Sequence, residues 1–127
     1  MNKIKWIAQV IAQSYEIQKS LFPDFANVAD ELAVEWERAL DELDELNITS
    51  ITDEQRSVIK KLDDYMLSIS GPANIQYWNN TALCKSVEWQ RMREMAIDIL
   101  SIMHWEKTVP AKPKAIYINQ DNVSIMS

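Results

Sequence analysis

A single glycine, Gly71, in 127 residues is the strongest constraint this sequence places on its fold. Tight β-hairpins need positive φ, which glycine adopts without steric penalty. One glycine and four prolines, set among abundant Leu, Ile, Ala, Met, Glu and Gln, suit long helices far better than hairpins. At this length the chain buries one core and fills one domain. The expectation is an all-α, single-domain bundle of four to five helices over residues 1–107, followed by an extended tail over 108–127.

Apolar residues recurring at helical spacing locate the elements. Ile4, Ile7, Ala8, Ile11 and Tyr15 share one flank, and Trp6, Val10, Ile17 and Leu21 the adjoining one. So wide an arc predicts a first helix over about residues 3–20 packed against two neighbours. Pro23 disfavours helical geometry at Phe22, and Asp24 or Asn27 can cap a second helix over about 25–46. There Phe25, Val28, Leu32, Trp36, Ala39, Leu43 and Leu46 form an inward stripe, while Asp30, Glu37, Asp41, Asp44 and Glu45 point outward around a solitary Val34. Thr52 and Gln55 have capping-box spacing ahead of a third helix over about 53–69, which Gly71 and Pro72 end. A last helix over about 86–106 carries Trp89, Met92, Met95, Ala96, Ile99, Leu100 and Met103 on one broad face and is expected at the centre of the bundle. The segment between them, residues 71–85, is the least regular and the expected functional loop, with Tyr77 and Trp78 adjacent. The tail holds Pro110 and Pro113 and a β-like AIYI at residues 115–118, expected to pin it at one point.

Charge is unevenly placed. Between Asp24 and Asp64 lie thirteen of the nineteen acidic residues against Arg38, Arg56, Lys60 and Lys61, a net charge of −9 in a chain whose total is −6. Nucleic-acid phosphates are held by Lys and Arg, so this balance argues against direct nucleic-acid binding and for a basic protein partner. Gln9, Gln13, Ser14 and Glu16 interrupt the N-terminal apolar run before it acquires signal-peptide or membrane-span character. One cysteine, Cys84, closes no internal disulfide and reads as a small buried hydrophobe, so a cytoplasmic location is expected.

Catalytic constellations are sparse. Asp41-x-x-Asp44 overlaps Glu42-x-x-Glu45, a spacing similar to the carboxylate pairs with which all-α nucleotide pyrophosphohydrolases hold magnesium. Such a site needs acids facing it from another helix, and Glu94-x-x-x-Asp98 falls on the polar side of its own. Glu-x-x-His on two helices, required for a carboxylate-bridged di-iron centre, is missing, because Leu100 and Ser101 occupy the positions that would complete it with His104. No nucleophile elbow or phosphate-cradling glycine loop flanks Cys84 or any serine. The reading is therefore no catalytic residue, no metal site and no cofactor.

The acidic stretch DELAVEWERALDELDEL at 30–46 and the loop GPANIQYWNN at 71–80, in a small acidic helical chain, resemble the immunity proteins of contact-dependent growth inhibition and related polymorphic toxin systems. The resemblance implies a non-catalytic inhibitor that binds the C-terminal toxin domain delivered by a neighbouring bacterium, often a nuclease with a basic substrate cleft. On that reading Glu37, Asp41, Asp44 and Glu45 meet the Lys and Arg residues that would hold phosphates, and Val34, Tyr77 or Trp78 supplies apolar contact. Two other readings stand beside it: a magnesium-dependent pyrophosphohydrolase using Glu42, Glu45 and an acid of the last helix, and an adaptor whose acidic face mimics nucleic acid. The oligomeric state is left open.

Overall fold

A computed structural model describes residues 2–45 and 51–112, apart from the side chains of Asn2 and Glu45. Among the described residues there are helices and no strands: α1 (Asn2–Ile11), α2 (Tyr15–Ser20), α3 (Val28–Glu45), α4 (Asp53–Ser68), a 3₁₀ segment (Pro72–Tyr77), α5 (Asn80–Lys85) and α6 (Val87–Ile102). The all-α expectation is met, but the helical segments outnumber the four to five expected. Two local causes account for the difference.

The first is a break in the predicted helix over residues 3–20. Ser14 Oγ accepts from the Ile17 N–H at 3.5 Å and starts α2 afresh. Gln18, fully buried, donates its side-chain amide to the carbonyls of Val10 at 3.3 Å and Ile11 at 2.9 Å at the end of α1, where helical acceptors run out of i+4 donors. The second is the segment 71–85, which contains α5 as well as the 3₁₀ turn. Asn79 Oδ1 accepts from Ala82 N at 2.8 Å and Ser86 Oγ from Trp89 N at 3.1 Å, so α5 and α6 each start on a cap of their own.

Helix α3 starts three residues later than the stripe suggested. Asn27 Oδ1 accepts from Asp30 N at 3.3 Å, and the free N–H of Val28 donates to Asn80 Oδ1 at 2.9 Å. Phe25, expected on the buried stripe, therefore lies in the preceding turn and is 54 % exposed. Leu32, Trp36, Ala39 and Leu43 are buried as the period requires, and Leu46 lies outside the described residues. Helix α4 has the predicted capping box, with Thr52 and Gln55 exchanging bonds of 3.0 and 3.1 Å.

Helix α6 packs against α1, α4 and α5, and α3 packs against α1 and α5. Trp89 sits in the middle with no exposed surface, its indole N–H donating to Tyr77 O at 2.7 Å and its ring meeting Trp78 edge-on at 5.5 Å. The wide arc of α1 is buried between α3 and α6, which is why both of its flanks are apolar.

α6 stops at Ile102, short of the expected 106. His104 takes φ +59°, its N–H donates to Ser101 O at 3.2 Å, and Trp105 N donates to Leu100 O at 2.8 Å, the bond pair of a Schellman turn. This turn sends residues 105–112 back over α1. Gln9 donates to Glu106 O at 3.0 Å, Gln13 to Thr108 O at 2.9 Å and Trp6 Nε1 to Ala111 O at 2.8 Å, with Pro110 buried beneath. The tail is thus strapped down well before AIYI, which lies outside the described residues. No helix among the described residues is long and apolar enough to cross a membrane.

A candidate protein-binding face on α3

The acidic excess of the sequence resolves onto one helix. α3 carries eight acidic residues against Arg38, whereas α4 carries four against Arg56, Lys60 and Lys61. On α4 the balance is also local, because Lys60 bonds Asp64 at 2.8 Å and its own pKa is raised by that hydrogen bond. On α3 the acids divide by direction. Glu35 turns inward, buried, and bonds Lys3 of α1 at 2.9 Å and Arg38 at 3.0 Å. Lys3 also lies 5.9 Å from the centre of the Trp6 ring on its own helix, so the lysine that ties α1 to α3 through Glu35 is steadied within α1.

Asp30, Val34, Glu37, Asp41 and Asp44 are all exposed. Their steps of four, three, four and three residues keep them on one ridge, about 21 Å long at roughly 1.5 Å per residue. Asp30 is engaged in the helix cap through Asn27 Nδ2 at 3.1 Å. Among the described residues no cation pairs with Glu37, Asp41 or Asp44. The Glu45 side chain lies outside the described residues. Burial raises the pKa of Asp30; burial first, then Glu35, raises that of Glu31, with Arg38 acting the other way. The outer ridge of α3 therefore concentrates Glu37, Asp41 and Asp44, carboxylates that no cation among the described residues pairs.

The aromatic pair of the loop is placed differently. Trp78 is half-buried: its indole N–H donates to Ile69 O at 2.7 Å, closing the end of α4, and its carbonyl accepts from Asn27 Nδ2 at 2.9 Å. Tyr77 is half-buried and lines a shallow groove of about 370 Å³ beside α5. The loop stitches the start of α3 to the end of α4 through Asn27, Trp78 and Asn80, and the Asn27 amide that bonds the Trp78 carbonyl also bonds Asp30 at the first turn of the ridge. Compared with known protein families, with curated proteins and with solved structures, the chain matches none of them.

Glu94 and Asp98 are exposed on α6, and among the described residues no three His, Cys, Asp or Glu side chains converge as metal ligands would. Asp98 instead edges a cleft of about 390 Å³ between α4 and α6, where Glu54 and Lys61 also meet over Val58 and Ile102. Cys84, read as a buried hydrophobe, is exposed because α5 turns Ala82 and Leu83 inward in its place.

Sequence reasoning passed over the buried polar residues. Arg93 is 8 % exposed, and its Nη2 donates to Gln18 Oε1 at 3.0 Å and to Leu83 O, joining α2, α5 and α6. Among the described residues its Nε has no partner, and burial lowers the Arg93 pKa from the ordinary arginine value. The available signal was an arginine inside the apolar face formed by Trp89, Met92, Ala96 and Leu100, and a glutamine pair at positions 9 and 13, one helical turn apart.

Proposed function

We propose that this chain is a non-catalytic binding protein of the immunity type, which neutralises a cationic toxin domain by laying the outer ridge of α3 across its substrate cleft. The observation that carries the reading is the set of exposed carboxylates of Glu37, Asp41 and Asp44, which have no cationic partner among the described residues. A nuclease cleft holds phosphates with lysines and arginines, and a rigid helix bearing carboxylates at one-turn intervals offers those cations a substitute. Opposite charge accelerates encounter and loses force as salt rises.

Affinity needs an apolar contact as well, because exposed ion pairs are individually weak. Val34, 41 % exposed and flanked along the ridge by Asp30 and Glu37, is placed to supply it. Tyr77 and Trp78 serve the site indirectly, by fixing the loop that anchors the first turn of α3. The reading places the protein in the cytoplasm, where a delivered nuclease would act.

The test is co-expression with a cationic nuclease toxin domain, sought first among the genes adjacent to this one. The unaltered chain restores growth; Glu37→Lys, Asp41→Lys and Asp44→Lys together abolish protection, and Val34→Asp weakens it. Undiminished protection by the folded triple variant, with an unchanged association rate at low salt, would reject the face. Titration calorimetry with magnesium and nucleotides gives no site-specific heat on this reading, whereas a pyrophosphohydrolase would show it.

A further inference from the structure

The C-terminal strap and the helix it leaves are in local conflict. Residues 103–106, Met-His-Trp-Glu, contain no glycine or proline and continue the apolar period of α6, so the sequence alone carries that helix to 106. The folded chain instead stops at Ile102 and forces His104 to φ +59°, a conformation that residues with a Cβ adopt at a penalty. What holds the turn is tertiary: the side-chain donors of Trp6, Gln9 and Gln13 on α1 bind backbone carbonyls of residues 106, 108 and 111. With the strap in place Gln9 and Gln13 are 8 % and 5 % exposed, so under it their amides depend on the strap carbonyls for hydrogen bonds. Most of the strap itself is exposed; Pro110 alone among residues 106–112 is buried.

We infer that the strap is an exchangeable element, and that its second seat is α1 of another copy of this chain. With His104 in the right-handed helical region, α6 runs on toward Glu106 and projects the strap away from its own bundle. The vacated donors of α1 then accept the same segment from a second molecule, bond for bond, and both hinges lose their strained residue. The bonds from α1 to the strap are reproduced in the dimer, only the turn's own backbone bonds at His104 and Trp105 being exchanged for helical ones, which makes protein concentration and hinge conformation the controlling variables. The inference is independent of the toxin-binding reading, since α1 and the strap share no residue with the α3 ridge.

Two single-cysteine chains in a Cys84→Ser background, one carrying Gln9→Cys and the other Thr108→Cys, are mixed at about 1 mM and treated with a short bismaleimide. Those side chains meet across the strap contact, where Gln9 Nε2 lies 3.5 Å from Thr108 Oγ1. Exchange yields a crosslinked heterodimer, and light scattering on chains with Cys84→Ser alone reports a concentration-dependent dimer. His104→Ala, which favours helix over the left-handed turn, strengthens dimerisation by about tenfold or more, and His104→Gly weakens it. Monomers alone at the highest concentration, or dimers that never crosslink between the two chains, would overturn the inference. The mixing experiment keeps His104 itself, so it decides the matter even where a hinge variant fails to fold.

Discussion

The outer face of α3 and the junction of α1, α2, α5 and α6 are both rich in polar side chains, and they use them in opposite ways. At the junction the buried polar side chains have structural work, although among the described residues Arg93 Nε finds no partner. Gln18 closes the end of α1, Arg93 bonds Gln18 and Leu83 O, and Gln9 and Gln13 hold the strap. On the face, Glu37, Asp41 and Asp44 have no cationic partner among the described residues. The contrast teaches where this chain invests hydrogen bonds in folding and where it leaves charge available. Buried polar groups must be satisfied because their desolvation is costly, whereas exposed carboxylates are satisfied by water until something displaces it.

The comparison breaks most visibly at Arg93. Arg93→Ala leaves a cavity and two acceptors without their donor, and is expected to lower the unfolding free energy by about 3 kcal/mol in urea titrations. Trp6→Phe removes the indole donor to Ala111 O while keeping an aromatic ring beside Lys3, and should cost about 1 kcal/mol, with faster amide exchange concentrated in residues 105–112.

A smaller effect sharpens the division within α3. The pKa of Glu31 is raised chiefly by burial and next by Glu35, so Glu35→Gln should move its NMR titration back toward the ordinary glutamate range. The sign for stability follows from the raised value. Folded protein holds that proton more tightly than unfolded chain, so the ionised group opposes folding above its titration. The penalty fades as pH falls through the folded pKa toward the unfolded one.

Much of the fold was legible because periodicity and capping chemistry are local. The stripe Leu32–Trp36–Ala39–Leu43 and the Thr52–Gln55 box fold as their spacing dictates. The outward placement of Val34, Glu37, Asp41 and Asp44 follows from the same period, so the ridge was readable before any coordinates. What escaped depends on partners distant in sequence. Gln18 and Arg93 are 75 residues apart, and nothing near either announces the bond. Trp78 looked available in a loop, yet its indole is claimed by the Ile69 carbonyl at the end of α4. The end of α6 was misplaced for the same reason: Met103 to Glu106 suit a helix, and only the strap contacts on α1 turn the chain at His104.

The claim that the α3 acids are surplus to folding is tested most directly by urea unfolding of the Glu37→Lys, Asp41→Lys, Asp44→Lys variant beside the unaltered chain. Unfolding free energies should agree within about 0.5 kcal/mol, any small gain appearing at low salt, where lysines near the C-terminal end of α3 complement its dipole. A loss of more than about 2 kcal/mol would show these carboxylates to be structural and would contradict the account.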